Sequence, residues 1–322
     1  MSSFPRVGEA MRAKNLLLKL VCATLLVGAA GGRALGAEGG GGDDNGKTSN
    51  PAAARETATS MKVARFEEAL LTALARRGAA AGAMCDGRDP VARRILNEYG
   101  AVFVAAGTVT PPPVCIFGGA EEVETFQAAA RVAAREMGGV VIELQPAAMR
   151  ALVAAREEAQ GQGLDVTPRD GSESARRGYD DTIRLWNSRL LPALEYWRGE
   201  GRLTPEEAER VRALPAREQV GAVLELERRG IFFSKDFSKS ILYSVAAPGA
   251  SQHLSLLAFD AAEYGDERVR RILARHGWFR TVRSDCPHFT YLGLEESELP
   301  SRGLKKVSTG DGEFWVPNHP AS

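Results

Sequence analysis

Three of the four histidines in the chain lie between Pro248 and Gly293, among carboxylates whose spacing suits a metal ion. His253 and Asp260 stand seven residues apart in Pro-Gly-Ala-Ser-Gln-His-Leu-Ser-Leu-Leu-Ala-Phe-Asp. From that spacing, a loop running into a strand brings an imidazole and a carboxylate to one point. His288 opens a β-branched and aromatic run, Phe-Thr-Tyr-Leu, and supplies a third donor from a neighbouring strand. Two nitrogens and one oxygen, with a fourth position open, are the donor set of a catalytic zinc site. Cys286 shares a side with His288 in an extended chain, and as a fourth ligand it would close the site and make it structural. Ser251, two residues before His253, reads as a hydrogen-bond partner behind the ligands, because no serine-base constellation surrounds it. His276, beside Gly277 at a predicted helix end, reads as a structural residue favoured by the helix dipole, and His319 as a histidine of the C-terminal tail.

The pattern Pro-Gly-x-Ser-x-His with Ala-x-Asp, followed by acid-x-x-His-x-x-Tyr, resembles the zinc D-alanyl-D-alanine carboxypeptidase family, which includes the vancomycin-resistance D,D-peptidases. The resemblance is strong over 234–293, thinner over 140–190 and absent before about 120. It implies that His253, Asp260 and His288 hold Zn2+ and that Asp285 stands where the family carries a general-base glutamate. It places no ligand at Cys286. Two positions depart from the family. Leu256 replaces a usual glycine, which reads as a mild change, and Asp285 is one methylene shorter than the usual base. An arginine after the second strand of the family's domain binds substrate or polarises the scissile carbonyl. Two residues compete for that role here. Arg169 follows a predicted strand directly, whereas Arg177 opens Arg-Gly-Tyr-Asp-Asp-Thr-Ile-Arg-Leu-Trp, similar to the family's Arg-Ser-Tyr-x-x-Gln-x-x-Leu-Tyr.

The resemblance thus implies a secreted zinc peptidase acting on peptidoglycan stem peptides, as a D,D-carboxypeptidase or an endopeptidase. Asp285 would take a proton from the attacking water and pass it to the leaving amine. The alternative, marked by the shortened base, is a non-catalytic zinc-binding member of the same fold that binds peptidoglycan or a partner protein.

The elements that must position these groups read as α+β. A small antiparallel sheet carries the zinc site, helices pack on it, a helical insertion occupies about 190–230, and an α/β region precedes it over 61–138. The peptidase-like part spans 139–296, and 297–322 reads as a loosely docked tail. Apolar stripes predict helices over 61–77, 179–197 and 267–276. Asp89-Pro90 and the capping box Thr204-Pro-Glu-Glu207 mark two further helix starts, and 216–229 reads as another helix. Helix is also expected over 121–137, stopped by Gly138-Gly139, from Pro146 to about 161, and over 237–245. Strands are expected at 101–105, 140–144, 164–167, 231–233, 278–282 and 289–292.

Composition narrows the class. The 322 residues are 44% hydrophobic, enough for a sizeable core, and 41 basic residues balance 41 acidic ones. That balance supplies no general pull toward nucleic acid or an anionic membrane. Residues 1–37 read as an export signal, with a basic start, an apolar run over 20–30 and Ala-Leu-Gly-Ala at the cleavage zone. The apolar run is short for a membrane span, so no stable insertion is expected after cleavage. Residues 38–60, rich in glycine and polar residues, read as a flexible tether. Export leaves Cys85, Cys115 and Cys286. An odd count permits at most one intramolecular pair, for which Cys85 with Cys115 is the favoured choice in an oxidising compartment. The competing reading is three buried thiols.

Overall fold

The computed structural model describes residues 64–319, apart from 79–83, 87 and 284. The expected export signal, the tether and the start of the first helix at Met61 lie outside the described residues. The chain opens with α1 (Phe66–Arg76) and α2 (Pro90–Tyr99), then a 3-10 turn over Gly100–Val104. Next come α3 (Ala120–Ala130), β1 (Ala133–Met137), β2 (Val140–Leu144) and α4 (Pro146–Gly161). The long α5 (Tyr179–Gly199) is followed by α6 (Pro205–Ala213) and α7 (Ala216–Arg228). The last third holds β3 (Ala258–Asp260), α8 (Glu267–Arg275), β4 (Trp278–Phe279), β5 (His288–Tyr291), β6 (Leu304–Thr309) and β7 (Gly312–Pro317). Three antiparallel sheets result, β1-β2, β3-β5-β4 and β6-β7. The fold is α+β.

Local chemistry sets the helix starts. Asp89 accepts a hydrogen bond from the Val91 amide at 2.8 Å, and Pro90 occupies the first turn of α2, where no amide donor is needed. At α6 the Thr204 hydroxyl accepts from the Glu207 amide while the Glu207 carboxylate accepts from the Thr204 amide, at 3.1 and 3.0 Å. Asp266 caps α8 as Asp89 caps α2, by accepting from the amide two residues on, that of Arg268.

One core draws on both the N-terminal region and the sheet that carries the ligands. Phe66, Leu70, Val102, Phe103, Leu144, Leu152, Phe259, Trp278 and Leu292 all belong to it. The expected boundary near 138–139 falls in the β1-β2 turn, and the core runs across it. A second core joins α2, α5, α6 and α7 to the segment before His253 through Tyr99, Trp186, Leu190, Val211, Val223, Phe233 and Leu242. This places the expected helical insertion against the ligand-bearing segment. A disulfide joins Cys85 to Cys115 with the Cα atoms 5.4 Å apart, and Cys286 is half-buried in the turn before β5.

Several expectations give way to tertiary context. The helix expected over 121–137 ends at Ala130, and the chain reverses as a hairpin in which Met137 faces Val140. Gly138 and Gly139 both have positive φ, 59° and 81°, so they form a hairpin turn. The strand expected at 101–105 is a buried 3-10 turn. At 164–167 only a bridge from Pro168 to Ala261 forms, with the Arg169 amide donating to the Asp260 carbonyl at 3.0 Å. Residues 231–233 pair with no strand among the described residues, and the helix expected over 237–245 is reduced to a 3-10 turn at Ile241–Tyr243. Strand β4 stops at Phe279.

The C-terminal tail is a docked hairpin. Leu304 enters the main core, and Phe314 is fully buried with the Arg280 guanidinium 4.3 Å from its ring centre. Beyond it the Asn318 carbonyl accepts from the Phe66 amide at 3.1 Å, so the tail fixes the start of α1. Phe314→Ala should therefore lower the unfolding free energy by about 3–5 kcal/mol in denaturant titrations. A loss below about 0.5 kcal/mol, as for an ordinary surface site, would show that the hairpin is not part of the folded core.

Candidate metal centre

Register brings two of the three donors together. β3 and β5 pair antiparallel with Asp260 directly opposite His288, so both side chains leave the sheet on one face. His253 arrives from a 3-10 turn over Gln252–Ser255 that leads into β3. Leu256 ends that turn in the left-handed region, φ 60° and ψ 24°, and is fully buried. A side chain costs roughly 1–2 kcal/mol in that conformation. The replacement of glycine at 256 is thus not mild: glycine would fit the backbone, whereas leucine fills the core.

The donor atoms lie close to one another. His253 Nε2 is 3.1 Å from His288 Nδ1, which is 3.1 Å from Asp260 Oδ1, and His253 Nε2 is 3.3 Å from Asp260 Oδ1. Ligands at about 2.0–2.1 Å from a tetrahedral zinc stand roughly 3.3–3.4 Å apart. All three residues are buried, and together they could hold a metal ion. Cys286 is not among the converging groups.

The protons are turned away from the centre. His253 Nδ1 lies 3.0 Å from the Ala175 carbonyl, an acceptor, which keeps a hydrogen on Nδ1 and leaves the Nε2 lone pair facing inward. His288 is set the opposite way: its Nε2 donates to Gln252 Oε1 at 2.8 Å, leaving Nδ1 facing inward. Gln252 is oriented in turn by donating from Nε2 to the Tyr99 carbonyl at 2.8 Å, and the Thr290 hydroxyl donates to its Oε1. Gln252 therefore does what Ser251 was expected to do. Ser251 lines the cleft and makes no hydrogen bond to the three ligands.

Charge supports the same reading. Burial first, then the Arg177 guanidinium, pushes His253 down to about 4, against the pull of Asp260, so it is a neutral donor at pH 7. Burial would raise Asp260, but its contact with His253 and His288 holds it well below the usual aspartate range. Arg177 Nη2 donates to Asp260 Oδ2 at 2.8 Å, leaving Oδ1 for the centre.

The centre forms the floor of a cleft of about 260 Å³ that includes Asp285, Arg169 and Arg177 in its lining. Asp285 belongs to a turn closed by the His288 amide donating to the Asp285 carbonyl at 3.2 Å. Its side chain is open to the cleft, but protein crowds around it. That burial, with the Asp260 carboxylate, pushes its carboxyl above the ordinary aspartate value, while His288, Arg177 and Arg169 pull it down. Arg169 is exposed at the cleft, its guanidinium 5.4 Å from the Tyr264 ring centre. Both candidate arginines reach the cleft; of their two side chains, that of Arg177 bonds the Asp260 carboxylate, whereas Arg169 meets Asp260 through its backbone amide.

His276 pairs with Glu158 at 2.8 Å and His319 with Glu67 at 2.7 Å, both away from the centre. No protein-family model matches the chain, and no curated protein sequence matches it either.

His253→Ala and His288→Ala should each abolish stoichiometric metal binding, read by elemental analysis, and remove the rise in melting temperature that added metal produces. Full metal content in both variants would overturn the ligand set. Gln252→Leu keeps the three ligands but leaves the outer nitrogen of His288 without its acceptor. Metal affinity should fall by about 10- to 100-fold in competition with a chelator, and unchanged affinity would show that Gln252 does not set the ring.

Proposed function

We propose that this protein is a zinc metallopeptidase acting on peptidoglycan stem peptides, as a D,D-carboxypeptidase or an endopeptidase. The observation that carries the reading is the inward convergence of His253 Nε2, His288 Nδ1 and Asp260 Oδ1 at near-tetrahedral spacing, on the floor of a cleft that Asp285 also lines. Two nitrogens and one carboxylate oxygen with an open side favour zinc in a catalytic setting. The choice of substrate rests on the resemblance of 234–293 to the zinc D-alanyl-D-alanine carboxypeptidase family, together with the export signal read at 1–37.

Zinc, when bound, supplies Lewis acidity and draws the pKa of water toward about 7. The residues of the chain do the rest. Asp285 receives the proton of the attacking water and hands it to the leaving amine, and a carboxyl raised above the ordinary aspartate value suits both steps. Arg177 holds Asp260 in place through its second oxygen. Arg169, exposed at the cleft, presents a guanidinium to the carbonyl oxygen on which charge develops.

Asp285→Asn preserves shape and removes the base. Zinc should stay bound while turnover of a D-alanyl-D-alanine stem peptide falls by about 10²- to 10⁴-fold. Asp285→Glu should be no faster than the parent, because the turn that carries Asp285 is closed on His288 and places the shorter side chain. A zinc-loaded parent that cuts no stem peptide, with Asp285→Glu gaining activity, would replace this reading by the non-catalytic binder.

A further inference from the structure

A second recess, of about 350 Å³, lies between α8 and the β6-β7 hairpin, and none of its lining residues lines the metal cleft. α8 presents Glu267, Arg270, Arg271 and Ala274 to it at i, i+3, i+4 and i+7, one face of the helix. Arg280, just past β4, joins Glu296, Lys306 and Glu313 in supplying the other charges. Local pairs take up most of them. Arg271 Nη1 meets Glu267 at 2.8 Å, and Lys306 Nζ meets Glu296 and Glu313 at 2.8 and 3.2 Å, so all three carboxylates of the lining are engaged. Arg270 and Arg280 are left over. Among the described residues neither forms an ion pair with a carboxylate; backbone carbonyls hold them, those of Tyr264 and Gly265 for Arg270 and those of Asp311 and Glu313 for Arg280.

Burial makes that imbalance unfavourable. Arg280 is only 6% exposed, and a guanidinium stays protonated, so its charge sits inside the fold without a carboxylate at ion-pair distance. Burial first, and then the Arg270 charge, pull its pKa below the ordinary arginine value, more strongly than Cys286, Asp311 and Glu313 raise it. Two like charges thus repel at one recess. The Phe314 ring, 4.3 Å from the Arg280 guanidinium carbon, covers a face of the group. Its edge is left uncovered, because Gly312, which also lines the recess, has no side chain: a Cβ there would stand 2.5 Å from Arg280 Nη2. Each guanidinium carries five N–H donors, and the carbonyls take two of them. Trp278 lines the recess as well, fully buried, and its indole N–H meets no acceptor among the described residues. The lining therefore holds more donors and positive charge than it has acceptors to satisfy.

We infer that this recess binds an oxyanion group, a phosphoryl or a carboxylate, between Arg270 and Arg280. Guanidinium forks match the oxygens of either group, and an anion shared by both converts their mutual repulsion into attraction to a common partner. The recess volume falls within the roughly 300–1,000 Å³ of small-molecule sites, so the oxyanion can head a small organic ligand. Such a ligand ties α8 to the C-terminal hairpin. The inference stands apart from the peptidase reading, because it uses no residue of the metal centre.

The test titrates inorganic phosphate and, separately, succinate into the metal-loaded protein by calorimetry, with ionic strength held constant by sodium chloride so that screening does not vary. At least one of the two should fill a single saturable site per chain, and the tighter of them names the head group. Arg270→Gln should weaken that anion by about 10- to 100-fold, the cost of losing a hydrogen bond between charged groups. Metal content should not change, because Arg270 lies outside the cleft. Arg270→Lys, which keeps the charge without the fork, should recover part of the affinity. Glu313→Gln, which removes a neighbouring negative charge, should tighten the anion instead of weakening it. Arg280→Lys should weaken it too; Arg270→Gln carries the test should Arg280, which holds the hairpin, prove necessary for folding. Saturable binding that survives Arg270→Gln would place the anion elsewhere, at the metal centre for one, and overturn the inference. The absence of saturable binding for both anions would overturn it as well.

Discussion

Three unprotonated acceptors brought within about 3 Å of one another repel, and the structure around them depends on holding that arrangement. Each acceptor is fixed from behind. The Ala175 carbonyl keeps the proton of His253 on its outer nitrogen, Gln252 does so for His288, and Arg177 takes the second oxygen of Asp260. A cation at the centre would turn the repulsion into attraction, and the partners behind the acceptors leave all three lone pairs facing the place it would take.

The groups behind the acceptors are themselves buried and polar, which is tolerable only when every group is partnered. Gln252 bridges His288 to the backbone of α2 through the Tyr99 carbonyl. Gln127 on α3 donates to the carbonyls of Arg177 and Leu254, tying the arginine segment to the turn that carries His253. Gln145 donates to the Ser255 carbonyl, and its amide donates to the carbonyl of the left-handed Leu256. Two neutral amides from distant parts of the chain, Gln127 and Gln145, and a third within the turn, Gln252, thus tie that turn to its surroundings. Glutamine suits the task because it offers a donor and an acceptor without adding a charge to a buried site.

The sequence makes the ligands legible because metal chemistry demands particular residue types, and His253, Asp260 and His288 stand in a pattern that few other uses explain. Helix starts are legible where a cap is local, as at Asp89 and Thr204. What the sequence hides is decided at a distance. Ala133–Met137 has a helix-forming composition and becomes a strand because Val140–Leu144 pairs with it across Gly138-Gly139. The C-terminal hairpin has short apolar segments whose value appears only when Phe314 meets Arg280. Gln252 carries no signal beyond its place beside His253, and its role depends on a backbone carbonyl 153 residues away.

The same distinction resolves the arginines. In the sequence Arg169 and Arg177 compete for one role, because Arg169 directly follows the predicted strand and Arg177 opens a motif similar to that of the resembled family. In the fold they hold different positions. The Arg169 amide is committed to the Asp260 carbonyl while its side chain stays exposed at the cleft, and Arg177 turns inward to the Asp260 carboxylate. An arginine bound to a ligand carboxylate has part of its charge already neutralised, so its pull on a substrate anion is weakened. Charge at the cleft is thus compensated where Arg177 meets the Asp260 carboxylate and left open to solvent where Arg169 stands exposed.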